Sequence, residues 1–187
     1  MPQVELELIA DVGDSLTAIR TLVFEEKQVR PEDLMQAMRT NFASNPLLRH
    51  ILLNRAPKYG NDHDQADEMV AYAGRHYCAC VRQYHNLSGG AYRPGLFCLS
   101  SNTPLGRQVC ALPSGREAGM PLGDGGISPK HGMDILGPTA AAKSVAKVDH
   151  KLASNGVNFN LKFMPTMLKT PEDRQKLTDL IRGYFVQ

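Results

Sequence analysis

The sequence predicts an α/β fold in two parts, helical over residues 1–88 and built of few strands, a long crossing and packed helices over 89–187. Three observations predict it. Four stretches before Ser88-Gly89-Gly90 carry apolar residues at helical spacing. After that break, Gly95–Ser101 and Val157–Phe163 alternate at strand spacing. Between them Ala111–Pro138, ALPSGREAGMPLGDGGISPKHGMDILGP, has neither period.

The first helix spans 14–28, with Leu16, Ile19, Leu22 and Val23 on one face and Asp14 or Ser15 to cap it. The second opens at Pro31, where Glu32 and Asp33 suit the positive end of the dipole, and its stripe is Leu34, Met38 and Phe42. Asn45-Pro46 opens a third, which buries Leu47, Leu48, Ile51 and Leu52. After the turn Ala56–Asp64, Asn61 or Asp62 caps a long helix to about Tyr84. Its expected inner stripe is Met69, Ala73, Tyr77, Cys80 and Tyr84.

In the strand Gly95–Ser101, Phe97 and Leu99 point one way, Cys98 and Ser100 the other. Residues 107–112 read as a second short strand. A further helix starts at Gly137-Pro138-Thr139. It carries Ala141, Val145, Val148 and Leu152 inside, Lys143, Lys147 and Lys151 outside, and closes at Asn155-Gly156. In the strand Val157–Phe163 the apolar residues alternate with Asn158, Asn160 and Lys162. Thr170-Pro171-Glu172-Asp173 caps a last helix with Leu177, Leu180, Ile181 and Tyr184. So few strands cannot close a sheet, and the chain stops at Phe185-Val186-Gln187 without a polar tail, so a fragment is expected.

The crossing is rich in proline and glycine, which interrupt ladders and open unusual backbone angles. It also carries Leu112, Met120, Leu122, Ile127, Met133, Ile135 and Leu136, anchors that a disordered tract lacks. An ordered, packed segment is expected.

Composition bounds the function. Net charge is +2, so there is no electrostatic case for nucleic acid or an anionic membrane. No apolar run reaches membrane-spanning length, and the N-terminus lacks the pattern of a secretion signal. Cys78, Cys80, Cys98 and Cys110 match no zinc spacing. Reduced thiols and a cytoplasmic location are expected.

Local candidates for chemistry each meet a simpler alternative. Cys78 and Cys80 lie two apart on a helix, about 200° around it, and cannot share one ion. His76 and Cys80 share a face but make only a pair. The Gly123–Gly126 run with Lys130 and His131 suggests a phosphate cradle. It lacks the G-K-[ST] ending of a P-loop, and a turn needing positive φ explains it. The lysine row reads as a solvated face, and Asp149-His150 diverge on their helix. The polar residues Cys98, Ser100 and Asn102, with Asn158 and Asn160, either line a wet barrel interior or face solvent. No residue set offers a nucleophile with a base and an orienting third group.

Several strings together carry a resemblance: APKYGND (56–62), RPGL (93–96), TPLG (103–106), Ala111–Thr139, KSVAKVDH (143–150) and ASNGVNFNLKF (153–163). The chain resembles the glycyl radical enzymes of the pyruvate formate-lyase-like superfamily, nearer the dehydratase and choline-lyase branch than formate acetyltransferase. The resemblance implies an α/β barrel of ten strands in two half-barrels, of which this chain is a partial barrel. It implies a cysteine loop (G-C-x-E) and a glycine loop (R-V-x-G-Y) that meet inside the barrel. An activating enzyme with an iron–sulfur cluster and S-adenosylmethionine would install the glycyl radical, and a thiyl would then attack substrate.

Neither motif occurs here. The expectation is therefore a barrel-wall segment of a lyase or dehydratase of anaerobic metabolism, inactive alone. The parent would cleave C–O, C–N or C–C bonds of a diol, choline or 2-oxo acid. Its partners would be the rest of the barrel, the activating enzyme and a second copy of the parent. Cys98 and Ser100, then Asn158 and Asn160, are the substrate-facing candidates, with no catalytic or metal-binding residue in this chain. The alternative is a non-catalytic complementing subunit, or a degenerate remnant, that binds a companion chain.

Overall fold

The computed structural model describes residues 3–6 and 9–186, so the closing Gln187 lies outside it. Strand β1 (Gln3–Glu5) runs parallel to β2 (Arg93–Gly95), with Gln3 opposite Arg93 and Glu5 opposite Gly95. Single parallel bridges extend this arrangement, Leu96 to Val157 and Asn158 to Gly126. Four stretches of backbone thus lie side by side in one direction. Helices pack on them, as parallel strands require.

The helices are α1 (Ile9–Ala18, continued by a π-helical stretch Ile19–Glu25), α2 (Pro31–Arg39), α3 (Pro46–Asn54) and α4 (Asp64–Val81). After β2 come α5 (Asn102–Gly106), α6 (Pro138–Ala146) and α7 (Pro171–Val186). The starts of α2, α3, α6 and α7 follow the sequence signals, whereas α1 opens ahead of Asp14 and α4 has His63 at its N-cap, with no cap bond from Asn61 or Asp62 among the described contacts. Asn45 Oδ1 accepts the Leu48 N–H at 3.0 Å. Thr170 and Asp173 cap each other, the hydroxyl accepting the Asp173 N–H at 3.1 Å and the carboxylate the Thr170 N–H at 3.3 Å.

The faces of α1 and α4 differ from the expected ones. Helix α1 starts earlier and buries Gly13, Asp14, Thr17 and Ala18. Helix α4 buries Ala66, Val70, Ala71, Gly74 and Cys78 rather than the stripe of Met69, Tyr77 and Tyr84. The cause is close approach. A Cβ on Gly13 would strike Val70, and one on Gly74 would lie 2.8 Å from Ile9 Cδ1. Small residues let the two helices touch, and the larger apolar side chains flank the contact.

Three strand expectations also change. Pairing ends at Leu96, and the chain bends into α5, so Gly95–Ser101 is not one strand. Residues 107–112 form no ladder. Their carbonyls turn toward the buried Arg116 guanidinium, which donates to Gly106 O at 2.8 Å, Cys110 O at 3.0 Å, Val109 O at 3.4 Å and also Met120 O. Of Val157–Phe163, only Val157 and Asn158 are bridged.

Two apolar cores result. One gathers Ala18, Leu22, Leu34, Phe42, Leu48 and Leu52. In it Phe42 lies past the end of α2 at φ 64°, and Leu47, expected inside, is exposed. The other joins Ile9, Val70, Leu96, Ile127, Val145 and Val148, and so ties α1 and α4 to the crossing and α6.

Candidate functional site

The crossing Ala111–Pro138 is ordered, as its anchors predict, with Leu122 and Ile127 fully buried. Met120, Ile135 and Leu136 nevertheless remain exposed. Polar contacts do much of the seating. The turn 56–62 supplies three of them. The Tyr59 hydroxyl donates to Ile127 O at 2.9 Å. Asn61 donates to Met133 O at 2.7 Å and accepts the Leu136 N–H at 3.1 Å. Ser144 Oγ on α6 accepts the Asp62 N–H at 2.8 Å. From α1, Asp11 accepts the Gly123 N–H at 2.6 Å and the Lys130 ammonium at 3.1 Å.

Beneath this seat lies a buried titratable cluster. Asp14 accepts the Tyr59 N–H at 2.9 Å through Oδ1, while its Oδ2 has no hydrogen-bond partner among the described residues. Burial pushes its carboxyl up to about 7, against the opposing pull of Lys58 and the Tyr59 N–H. Burial likewise lowers the pKa of Lys58, which donates to Leu52 O at 2.6 Å.

Asp14 therefore binds a proton more tightly when folded than at its ordinary value of 3.8. Its contribution to stability is full at low pH, falls as pH rises from about 4 toward 7, and is a constant cost above that. Asp14→Asn is expected to gain stability over wild type across that window and to hold the gain above it. Urea denaturation at a series of pH values reads the difference. A variant-minus-wild-type difference independent of pH would refute the assignment.

A cavity of about 280 Å³ opens between the crossing and the stretch 160–163. Asp124, Ser128, His131, Asp134, Asn160 and Lys162 give it polar lining, and Phe163 and Met167 are among its apolar lining. Ser128 is buried, and its hydroxyl accepts the Asn160 N–H at 2.8 Å. Asn160 Nδ2 donates to Asp124 Oδ2 at 3.1 Å, and His131 Nε2 stands 3.9 Å from the same oxygen. No Ser128–His131 bond exists among the described contacts, so these residues are not a hydrolytic triad. They present a carboxylate, an amide, an imidazole and a hydroxyl around a small volume, a set suited to hydrogen-bonding hydroxyl groups.

Of the four residues predicted from sequence, Asn160 enters this cavity. Asn158 borders a neighbouring one, lined also by His150, Phe159, Tyr184 and Phe185. Cys98 and Ser100 are not brought together. Cys98 is buried, its sulfur 3.7 Å from Ser101 Oγ, while Ser100 is exposed. Leu99 is 81% exposed. The alternation is lost because the chain leaves the sheet after Leu96.

The phosphate-cradle reading is answered by Asp11, which holds Gly123 and Lys130 itself. Positive φ is confined here to Gly125 (72°) and Gly126 (87°). The lysine row is not a simple solvated face. Lys147 contacts Asp62, Asp64 and Asp67, and Lys143 contacts Asp62. His76 Nε2 lies 3.6 Å from Cys80 Sγ, and Asp149 caps Lys151. Among the described residues no group of three or more histidine, cysteine or acidic side chains can hold a metal. Sequence reasoning missed Asp124 and Ser128, whose only signal was their place in an ordered glycine-rich segment.

Two family models match the chain, pyruvate formate lyase-like over residues 5–106 and glycine radical over residues 124–187. The chain is 40% identical over 185 residues to "Probable dehydratase YbiW" of Escherichia coli (strain K12), covering 95% of this chain and 23% of that protein. It is 34% identical over 177 residues to trans-4-hydroxy-L-proline dehydratase of Clostridioides difficile, covering 95% and 22%. Among solved structures, the glycerol-bound B12-independent glycerol dehydratase from Clostridium butyricum superposes with a TM-score of 0.92 at 40% identity, covering 98% and 23%. The hydroxyproline dehydratase of Clostridioides difficile with its substrate bound gives 0.91 at 33%, with the same coverage. The chain therefore spans under a quarter of the length of these relatives.

Proposed function

The chain belongs to the pyruvate formate lyase-like family of glycyl radical enzymes, and from that membership we propose that it builds part of the wall and substrate cavity of a glycyl radical dehydratase or lyase. The parent cleaves a C–O, C–N or C–C bond of a small polar substrate. One observation carries the reading: the crossing lays Asp124 and Ser128 against Asn160 around a cavity of about 280 Å³. Similar proteins include a glycerol dehydratase, a (2S)-3-sulfopropanediol dehydratase and an isethionate sulfite-lyase, whose named substrates are small and hydroxylated. We assign substrate contact to Asn160 first, and place Asn158, Cys98 and Ser100 in the same wall.

The residues of this chain do not supply the reacting pair. None of its cysteines lies in G-C-x-E, and R-V-x-G-Y does not occur. Gly183, which precedes Tyr184, sits inside α7 rather than on a loop. No radical step is derived from these residues. What the chain does is hold hydroxyl groups through Asp124 and Asn160 and, with the remaining wall, exclude water from the enclosure.

The parent's partners are proposed to be the remainder of the barrel, an activating enzyme that uses S-adenosylmethionine, and a second copy, all in the cytoplasm. No helix among the described residues is long and apolar enough to cross a membrane. Exposed Leu99, Ile135, Leu136, Met164 and Phe185 fit a surface that the rest of a barrel covers. The same exposure favours, as a second reading, a companion polypeptide that carries both missing loops.

The test is electron paramagnetic resonance on the purified chain after anaerobic treatment with an activating enzyme. No glycine-centred doublet and no dehydration of propane-1,2-diol are expected. A doublet from this polypeptide would overturn the assignment. A doublet that arises only when a companion chain is added, and on that chain, would support the second reading.

A further inference from the structure

We propose that the glycine-rich turn 121–130 is a small-carboxylate binding site whose occupant is the chain's own Asp11, and that this internal ligand latches the crossing in place. The proposal is independent of what the adjoining cavity binds.

Asp11 is 1% exposed and lies in the first turn of α1. An isolated buried carboxylate is costly, so its partners must be built in. They come from far along the chain. Oδ2 takes the Gly123 N–H at 2.6 Å, and Oδ1 takes the Lys130 ammonium at 3.1 Å. Lys130, itself only 18% exposed, also donates to Pro121 O at 3.3 Å. The ends of the turn are therefore gathered around one carboxyl group. A main-chain N–H on one oxygen and an ammonium on the other is how a protein would hold formate or acetate.

Steric demand does not explain the arrangement. A Cβ on Gly123 would meet Ala10 and Asp11 at an ordinary 3.5 Å. Tyr59, Asn102, Asn158 and Asn160 hold the middle of the turn, and the carboxylate ties Gly123 to Lys130. Asp124, Ser128 and His131 ride on this turn or next to it, so the latch also sets the cavity.

The experiment uses trypsin as a local probe, because Lys130 is both latch and cleavage site. In wild type the bond after Lys130 is expected to be cut slowly relative to those after the exposed Lys169 and Arg174. Asp11→Asn keeps the shape and removes the charge. It should raise cleavage after Lys130 about tenfold or more relative to those reference sites, in line with the loss of a charge-assisted hydrogen bond. Exchange of the Gly123 amide should quicken in parallel. Asp11→Ala removes the carboxyl group and leaves room of about that size. Sodium formate should slow its cleavage after Lys130, and sodium chloride at equal ionic strength should not. The proposal is overturned if Asp11→Asn leaves Lys130 and Gly123 as protected as in wild type. It is equally overturned if all tryptic sites accelerate together, or if chloride protects as well as formate does.

Discussion

Gly126→Ala is expected to lose about 3–5 kcal/mol of stability, from a left-handed alanine plus a backbone clash. Gly126 sits at φ 87°, a region that residues with a Cβ avoid. An added Cβ would overlap the carbonyl carbon and oxygen of Leu96 and come within 2.5 Å of Phe97 Cα. Those atoms cannot yield. The Leu96 N–H donates to Gly156 O at 2.9 Å, its carbonyl accepts the Asn158 N–H at 3.1 Å, and its side chain is fully buried. The variant would push apart the parallel stretches that make the wall. Gly132 is the internal control. Its φ is 77°, but nothing lies within 4 Å of an added methyl group, so Gly132→Ala should cost only about 1 kcal/mol of backbone strain. Urea midpoints of the two variants separate the clash from the strain. Equal losses would refute the steric argument.

The same contrast shows what was legible in the sequence. Local chemistry was. Pro31, Pro46 and Pro138 open helices, and Asn45 and Thr170 cap them, because these signals act within a turn of the chain. That the crossing is packed was also legible, since Leu122 and Ile127 have no place on the surface. Pairwise approach was not. The α1–α4 face is read only once Gly13 and Gly74 are seen to make room, and helical periodicity favours large apolar residues over small ones. Strand length was over-read for a related reason. Alternation in Gly95–Ser101 and Val157–Phe163 describes side chains, whereas a ladder needs neighbouring backbone. Among the described residues that backbone reaches only to Leu96 and Asn158. Around the cavity, Asn160 was displayed in the sequence by alternation. Asp124 and Ser128 were not, because they belong to an aperiodic segment. Asp11 was hidden within a helix, and its partners lie more than a hundred residues away.

The lysine row yields the second large expected effect. On the sequence Lys143 and Lys147 are equivalent, one helical turn apart, and in the structure they are not. Lys147 bridges Asp64 at 2.8 Å, Asp62 at 3.0 Å and the fully buried Asp67 at 2.7 Å. Lys143 is 55% exposed and, among the described residues, pairs only with Asp62. Burial works against the Lys147 ammonium, but hydrogen bonds to Asp64, Asp67 and Asp62 outweigh it and hold its pKa above 10.5. Its stabilising contribution is thus complete at neutral pH and is lost only as pH rises past that value.

Lys147→Met strands the Asp67 carboxylate, whose other oxygen already has no hydrogen-bond partner among the described residues. The expected loss is about 2–4 kcal/mol, somewhat below that of a wholly buried pair because Lys147 is 33% exposed. Lys143→Met should cost at most about 1 kcal/mol, as exposed pairs do. Adding Asp67→Asn to Lys147→Met should recover most of the loss, because it removes the stranded charge rather than restoring a bond. Thermal and urea denaturation of the single and double variants measure all three. If the double variant is no more stable than Lys147→Met, the stranded Asp67 charge is not the cause of the loss.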